Sequence, residues 1–259
     1  LILVCKKRAR VLKWSNLIIY IMNIIYLDTE TTDADENARL IQLAYKNAAN
    51  GEEVNEYFKP PVPISFGAMA VHHVTAKMVE NKPAFEGSEH KQKITELLED
   101  NVLVAHNAHF DMRILKNEGV ETKKYIDTLR VARHIIDSES YGLQYLRYSL
   151  DFNIEAVAHD AWGDILVLES LFEYLKMQVA EQYSLASEDD IVEKMLELTQ
   201  MPVLLDAFVF GKYKGEKFAD VAKKDQGYLE WLHGSETSKS LHEQNEDLVY
   251  TLKNYIDKL

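Results

Sequence analysis

The sequence predicts an α/β fold, a mixed sheet flanked by helices, followed by a small C-terminal accessory module. Three observations carry this. The apolar run at 23–27 and the alternating segments 39–46 and 54–59 read as three successive strands, and 47–51 (Asn-Ala-Ala-Asn-Gly) holds the residues that favour a hairpin turn. Beyond them, helical spacing alternates with short apolar runs, the pattern of a mixed sheet with helices on its faces. Near residue 180 the composition turns polar, and a lysine- and aromatic-rich tail follows.

Each element has its own signal. After the proline-bearing loop 60–64, helices are expected near 68–79 and 91–99, then a short buried strand at 102–105 and a helix at 110–117 with Ile114 on its inner face. Residues 125–126 read as a strand, followed by helices near 128–136 and 143–150. The strongest helix begins near Trp162, with Ile165, Leu168, Leu171, Phe172 and Leu175 at three- and four-residue spacing. Ser187, with Asp190 three residues on, forms a capping-box start for another helix after the polar stretch 181–187. The expected organisation is therefore 1–21 as an upstream extension, 22–180 as the main domain, and 181–259 as a helical linker with the small module.

Composition narrows the class. A chain of 259 residues with 47% hydrophobic and 27% charged content is globular in character. Its single cysteine, Cys5, precludes an internal disulfide framework and fits a reducing, cytoplasmic setting. The net charge of −13 repels nucleic acid at long range, so such a partner would have to be met by local basic patches or metal ions. Residues 1–21 hold five basic side chains and no acid. The apolar run that follows is too short to span a bilayer and has no small-residue cleavage site, so the expectation is a natural start at Met22 and no chemical role for what precedes it. No glycine-rich nucleotide loop, internal repeat or nucleophilic triad points to another enzyme class.

The chemistry begins at Asp28 and Glu30, which close the first strand. Side chains alternate with period two along a strand, so both carboxylates project from one face. Two like charges held together there would keep one carboxyl protonated unless a divalent cation relieved them. Hard cations take oxygen ligands and share them with phosphates, which makes the pair a candidate phosphoryl-transfer site; the bland alternative is a solvated strand end. Asp111 falls in the first turn of a helix, just after a strand, where the helix dipole favours a carboxylate. Asp164 lies at another helix start, with His159 five residues before it.

Asp28, Glu30, Asp111 and Asp164 in this order, with His159 at that offset, resemble the DEDD superfamily of 3′-to-5′ exonucleases, which share a ribonuclease H-like fold. The tyrosine branch of that superfamily has a tyrosine four residues before the last aspartate. Here that residue is Asp160, so the chain is similar to the histidine (DEDDh) branch. The segments 68–75 (AMAVHHVT) and 125–133 (YIDTLRVAR) also resemble the superfamily. In the tail, 208–215 (FVFGKYKG) and 220–232 (DVAKKDQGYLEWL) resemble the C-terminal region of the exodeoxyribonuclease X family.

The resemblance implies a 3′-to-5′ exodeoxyribonuclease active on single strands or duplex ends, in repair or DNA turnover, that releases nucleoside 5′-monophosphates. Its four carboxylates would hold two divalent metal ions about 4 Å apart, Mg²⁺ or alternatively Mn²⁺, clamping the attacking and leaving oxygens. His159 would be the general base. Thr31, His72, Asn107 and Phe110 fall where the family contacts the terminal nucleotide; each also has an ordinary structural reading. Relatives often follow Asp-x-Glu-Thr with a glycine and a bulky apolar wedge, whereas 32–35 here is Thr-Asp-Ala-Asp, which puts fraying of duplex ends in doubt. Asp127 reads as a helix cap rather than a site residue. RNA as the substrate, which would need a 2′-hydroxyl contact, and a non-catalytic nucleic-acid- or protein-binding module are the alternatives.

The tail carries its own question. Residues 211–224 hold five lysines against Glu216 and Asp220, interleaved with Tyr213 and Phe218. Such a segment can track phosphates and stack bases, or it can form a small aromatic core with a solvated lysine rim. Tyr228, Leu229, Trp231 and Leu232 are expected to build that core.

Overall fold

The computed structural model describes residues 12–14, 17–19, 23–155, 160–240 and 244–258. It divides into two compact units, residues 1–199 and 200–259. Near the start, β1 (Leu12–Trp14) and β2 (Leu17–Ile19) pair as an antiparallel hairpin separate from the main sheet. The rest of 1–22 lies outside the described residues, and with it the expectation about Met22.

In the first unit, β3 (Ile24–Thr31), β4 (Leu40–Asn47) and β5 (Glu52–Tyr57) form the expected antiparallel run. Next come α1 (Phe66–His72), α2 (Ala76–Val79), α3 (Glu89–Asp100), β6 (Val102–Ala105), α4 (Ala108–Asn117), β7 (Tyr125–Asp127) and α5 (Thr128–Ile135). The unit ends with α6 (Leu143–Ser149), α7 (Ala161–Tyr183) and α8 (Glu188–Gln200). The sheet order is β5-β4-β3-β6-β7, with β6 parallel to both β3 and β7, so the mixed sheet is as expected.

Strand alternation sorts β3 onto two cores. Ile24 and Tyr26 join Val104 and Ile126 beneath Ile165, Leu168 and Phe172 of α7. Ile25 and Leu27 face the other way, onto Ile94 and Leu98 of α3 and Ile114 and Leu115 of α4. Asp28 and Glu30 therefore continue the α7 face, while Thr29 continues the α4 face.

Two expected boundaries are corrected. The helix expected over 68–79 is two helices, because His73 adopts the left-handed conformation (φ 60°) and ends α1. Ser65 caps α1 by accepting from Ala68 N, and the second helix restarts after Thr75. The boundary expected near residue 180 falls instead after Thr199, because Val192, Met195 and Leu198 of α8 are buried in the α7 core.

The second unit contains α9 (Phe218–Lys224), α10 (Gln226–Thr237) and α11 (Glu246–Ile256). Its core gathers Phe208, Phe218, Val221, Leu229, Leu232, Leu248 and Leu252, with Tyr228 packed against it; Trp231, expected in this core, is exposed instead. Among the described residues no helix is long and apolar enough to cross a membrane.

Candidate metal centre and active site

The candidate site lies where β3 and β6 end. Crevices at the carboxyl ends of parallel strands are common ligand positions, because the chain there turns into loops and helix N-termini. A register shift between Glu30 and Thr31, where β3 meets β4, bulges the end of β3. Such bulges re-aim side chains next to sites.

Asp28, Glu30 and Asp164 each offer a carboxylate oxygen, and the three oxygens lie within 4.8 Å of one another. Asp164 reaches them from the first turn of α7. Asp111, in the first turn of α4, is buried and accepts a 2.8 Å hydrogen bond from Thr29 Oγ1. It thus joins the site from the opposite face of the sheet.

The electrostatics match a cation site. Burial holds the Asp28 carboxyl well above the usual carboxylate range, and the charges of Asp111, Glu30 and Asp164 add to this. Glu30 is pushed up to about 8, first by burial and then by Asp164 and Asp111. Asp111 is raised to about 7 by burial, opposed by its hydrogen bond from Thr29. Carboxylates so arranged repel one another in the absence of positive charge, and a hard divalent cation is the partner their oxygen donors fit.

Several residues around the cluster carry little or no sequence signal. Gln144 of α6 donates from Nε2 to Asp164 Oδ1 and accepts at Oε1 from Arg147 Nη1 at 3.1 Å. Arg147 Nη2 in turn donates to the Ile154 carbonyl. Asp160 caps α7 by accepting from Gly163 N at 3.3 Å, and its other oxygen receives Gln42 Nε2 at 3.0 Å and the Tyr57 hydroxyl at 3.4 Å. The charge of Asp160 also raises Asp28 and Glu30. Its cap position was the one legible hint, an aspartate just before a helical run.

The other sequence candidates have distinct placements. His159 lies outside the described residues. Thr31 is buried and donates from Oγ1 to the Asp33 carbonyl at 2.7 Å. His72 spends both ring nitrogens on the protein: Nε2 is 3.1 Å from the Thr31 carbonyl, and Nδ1 accepts from Val74 N at 2.9 Å. Asn107 adopts a left-handed backbone (φ 65°), which asparagine tolerates better than most residues. Its backbone N–H donates to Asp127 Oδ1 at 2.9 Å, while its exposed side chain makes no hydrogen bond among the described residues. Phe110 is half-buried beneath the Arg113 guanidinium, 5.2 Å from the ring centre. Asp127 caps α5 by accepting from Leu129 N at 3.0 Å, so its cap reading holds.

Comparison with known proteins agrees with this geometry. Residues 25–172 match the family described as Exonuclease, and residues 208–234 match the Exodeoxyribonuclease X-like C-terminal family. Exodeoxyribonuclease 10 of Escherichia coli (strain K12) is 29% identical over 238 residues, covering 89% of this chain and 97% of that protein. A PolC-type DNA polymerase III of Thermotoga maritima is 35% identical over 129 residues, 46% of this chain and 9% of that protein. Among solved structures, Exonuclease X in complex with 5′-overhanging duplex DNA has a TM-score of 0.50 at 24% identity, covering 68% of this chain and 99% of that one. E. coli Exonuclease I with a dT13 oligonucleotide has a TM-score of 0.54 at 19% identity, covering 63% and 43%. These two likenesses bear out the expected ribonuclease H-like fold. The first family match begins inside β3 and ends inside α7, so it encloses all four carboxylates, and the chain belongs to the exonuclease family.

Proposed function

We propose that this chain hydrolyses phosphodiester bonds from the 3′ end of DNA and releases nucleoside 5′-monophosphates. The observation that carries the reading is the cluster of Asp28, Glu30 and Asp164 oxygens within 4.8 Å, with the buried Asp111 raising Asp28 from beside it. DNA is favoured as substrate by the exodeoxyribonuclease relative, whose C-terminal family this chain also matches. The four carboxylates would hold two divalent ions, Mg²⁺ with Mn²⁺ as a substitute. When bound, such ions acidify a water and offset the charge that develops on the phosphate.

The protein's own groups do the remaining work. Thr29 and Gln144 fix Asp111 and Asp164, so the carboxylates are oriented before substrate arrives. His159, five residues before Asp164, takes the proton as the water oxygen attacks phosphorus in line with the departing 3′ oxygen. An imidazole is the side chain suited to proton transfer near neutral pH. Thr31, Asn107 and Phe110 would meet the terminal nucleotide, Asn107 with its free amide and Phe110 with its ring. The ring nitrogens of His72 are already engaged, so its part is packing, and holding Thr31 in place.

The deciding assay uses 5′-labelled single-stranded DNA and RNA of one sequence, with Mg²⁺ or EDTA. A metal-dependent ladder shortening from the DNA 3′ end, absent in Asp28→Asn, is the expected result. A ladder on RNA alone would replace the substrate class, and no cleavage of either would leave a nucleic-acid-binding module without catalysis.

A further inference from the structure

We infer that the C-terminal unit carries a second binding surface, for single-stranded nucleic acid, built from Trp231, Phe210 and a surplus of lysines. This rests on the nucleic-acid reading of the chain and adds a site outside the carboxylate cluster. The unit's aromatic residues form a graded ladder. Phe208 and Phe218 are buried and stacked, with centroids 3.8 Å apart. Tyr228 packs on Phe208 at 5.9 Å and on Tyr213 at 5.0 Å, and Trp231 continues outward from Tyr228 at 5.6 Å.

Trp231 is 62% exposed although Leu229 and Leu232 of the same helix are buried, so the small core closes without its indole. Phe210 is 43% exposed and Val209 76%. Gly211, the residue after Phe210, brings the backbone close to the ladder: its φ is +73°, and a Cβ there would lie 2.7 Å from the Tyr228 hydroxyl. The turn that carries Phe210 and the helix that carries Trp231 therefore meet at Tyr228. Two exposed aromatic residues on segments that meet at one tyrosine offer faces on which bases can stack.

Charge selects the occupant. Lys212 Nζ lies 4.7 Å from the Tyr213 ring centre and is held by Asp225 at 2.8 Å; Lys224 lies equally close to the same ring and pairs with Glu216. That leaves Lys214, Lys217 and Lys223 exposed, with no ion pair among the described residues. In a chain of net charge −13, a stretch with five lysines against two acids is a local exception. A polyanion with flat bases suits a small unit that carries both unpaired lysines and exposed rings, whereas a protein partner would gain little from the surplus charge. A strand held here is presented to the rest of the chain at an effective concentration set by tethering rather than by its bulk level.

The test uses the full chain in EDTA, which prevents cleavage, with a 5′-fluorescein dT thirty-mer read by anisotropy. Trp231→Ala, Phe210→Ser and the pair Lys214→Glu/Lys223→Glu are each expected to weaken binding roughly five- to fiftyfold. The lysine pair should also flatten the logarithmic salt slope by about 1 to 2. Lys253→Glu on α11, outside this surface, should bind as wild type, and thermal melting checks that every variant is folded. Phe210→Ser alone carries the test should Trp231→Ala fail to fold. Folded variants that bind the thirty-mer like wild type overturn the inference, and variants that keep strand binding but lose self-association in sedimentation assign the surface to a second copy of the chain. A wild type that binds the strand but cleaves no DNA with Mg²⁺ would sink the proposed function and leave this surface standing.

Discussion

Gln144 and Asp164 are joined by a side-chain hydrogen bond that ties α6, a helix with no acid of its own, to the last carboxylate of the cluster. Arg147 holds the other end of Gln144 and the Ile154 carbonyl, so the same pair anchors the chain shortly before His159. Gln144→Ala removes one restraint on the Asp164 carboxylate. Groups behind a metal ligand typically contribute about ten- to a hundredfold to affinity or activity, and a loss of that size is expected here. Isothermal titration with Mn²⁺ measures it, and thermal melting of the metal-free variant within a few degrees of wild type separates positioning from folding.

Asp28→Asn removes the central charge of a mutually repelling group. The metal-free variant should be more stable than wild type by about 1–2 kcal/mol, since an isosteric amide relieves the repulsion and keeps the volume. It should also lose Mg²⁺-dependent cleavage and the rise in melting temperature that ligand linkage gives wild type. Equal stabilisation of both proteins by 10 mM-range Mg²⁺, about that order being saturating for weak carboxylate sites, would argue against this site.

The raised carboxyls predict an unusual pH dependence. Glu30 titrates near 8 in the folded chain against an ordinary 4.5, and Asp111 near 7 against 3.8. Between those values the folded state binds more protons than the unfolded state, so metal-free stability falls as pH rises. His106, lowered to about 4 by burial, acts in the opposite sense: its contribution is complete above 6.5 and is lost as pH falls towards 4. The window from pH 6.5 to 8.5 therefore isolates the carboxyls. Urea denaturation in EDTA should show a loss of about 2–3 kcal/mol across it, and Glu30→Gln should flatten the slope.

Glu118 holds the start of β4, where Leu40 pairs with Thr31 of β3. Buried at the end of α4, it accepts from Arg39 Nε and Nη2, both at 2.8 Å, and from Leu40 N at 3.1 Å. Glu118→Ala strands the guanidinium and a buried N–H, and a loss of about 2–4 kcal/mol is expected from urea denaturation. Arg39→Lys should recover only part of the wild-type stability relative to Arg39→Ala, because an ammonium cannot reproduce the two-pronged contact.

Asp127→Ala tests a different link. The carboxylate caps α5 and also accepts from the backbone of Asn107, so its loss should cost about 1–2 kcal/mol. Asn107 precedes Asp111 by four residues, and reduced metal affinity alongside that cost would show that the cap also steadies the turn leading to the cluster.

The sequence by itself determined much of this protein. Period-two alternation placed Asp28 and Glu30 on one face, and the helical spacing of Ile165, Leu168, Phe172 and Leu175 placed Asp164 at the start of a buried helix. Turn residues at 47–51 fixed the hairpin between β4 and β5. These signals are local, and a residue's periodicity is set by its own backbone. Only the tertiary structure decided that Thr29, on the other face of the same strand, would bind Asp111 of α4 on that face, and that Gln144 and Asp160 would surround the cluster. It also assigned α8 to the first core and broke the α1–α2 segment at His73. Contacts between residues far apart in sequence depend on which faces pack together, and a single left-handed residue leaves the surrounding pattern unchanged; neither can be read from spacing alone.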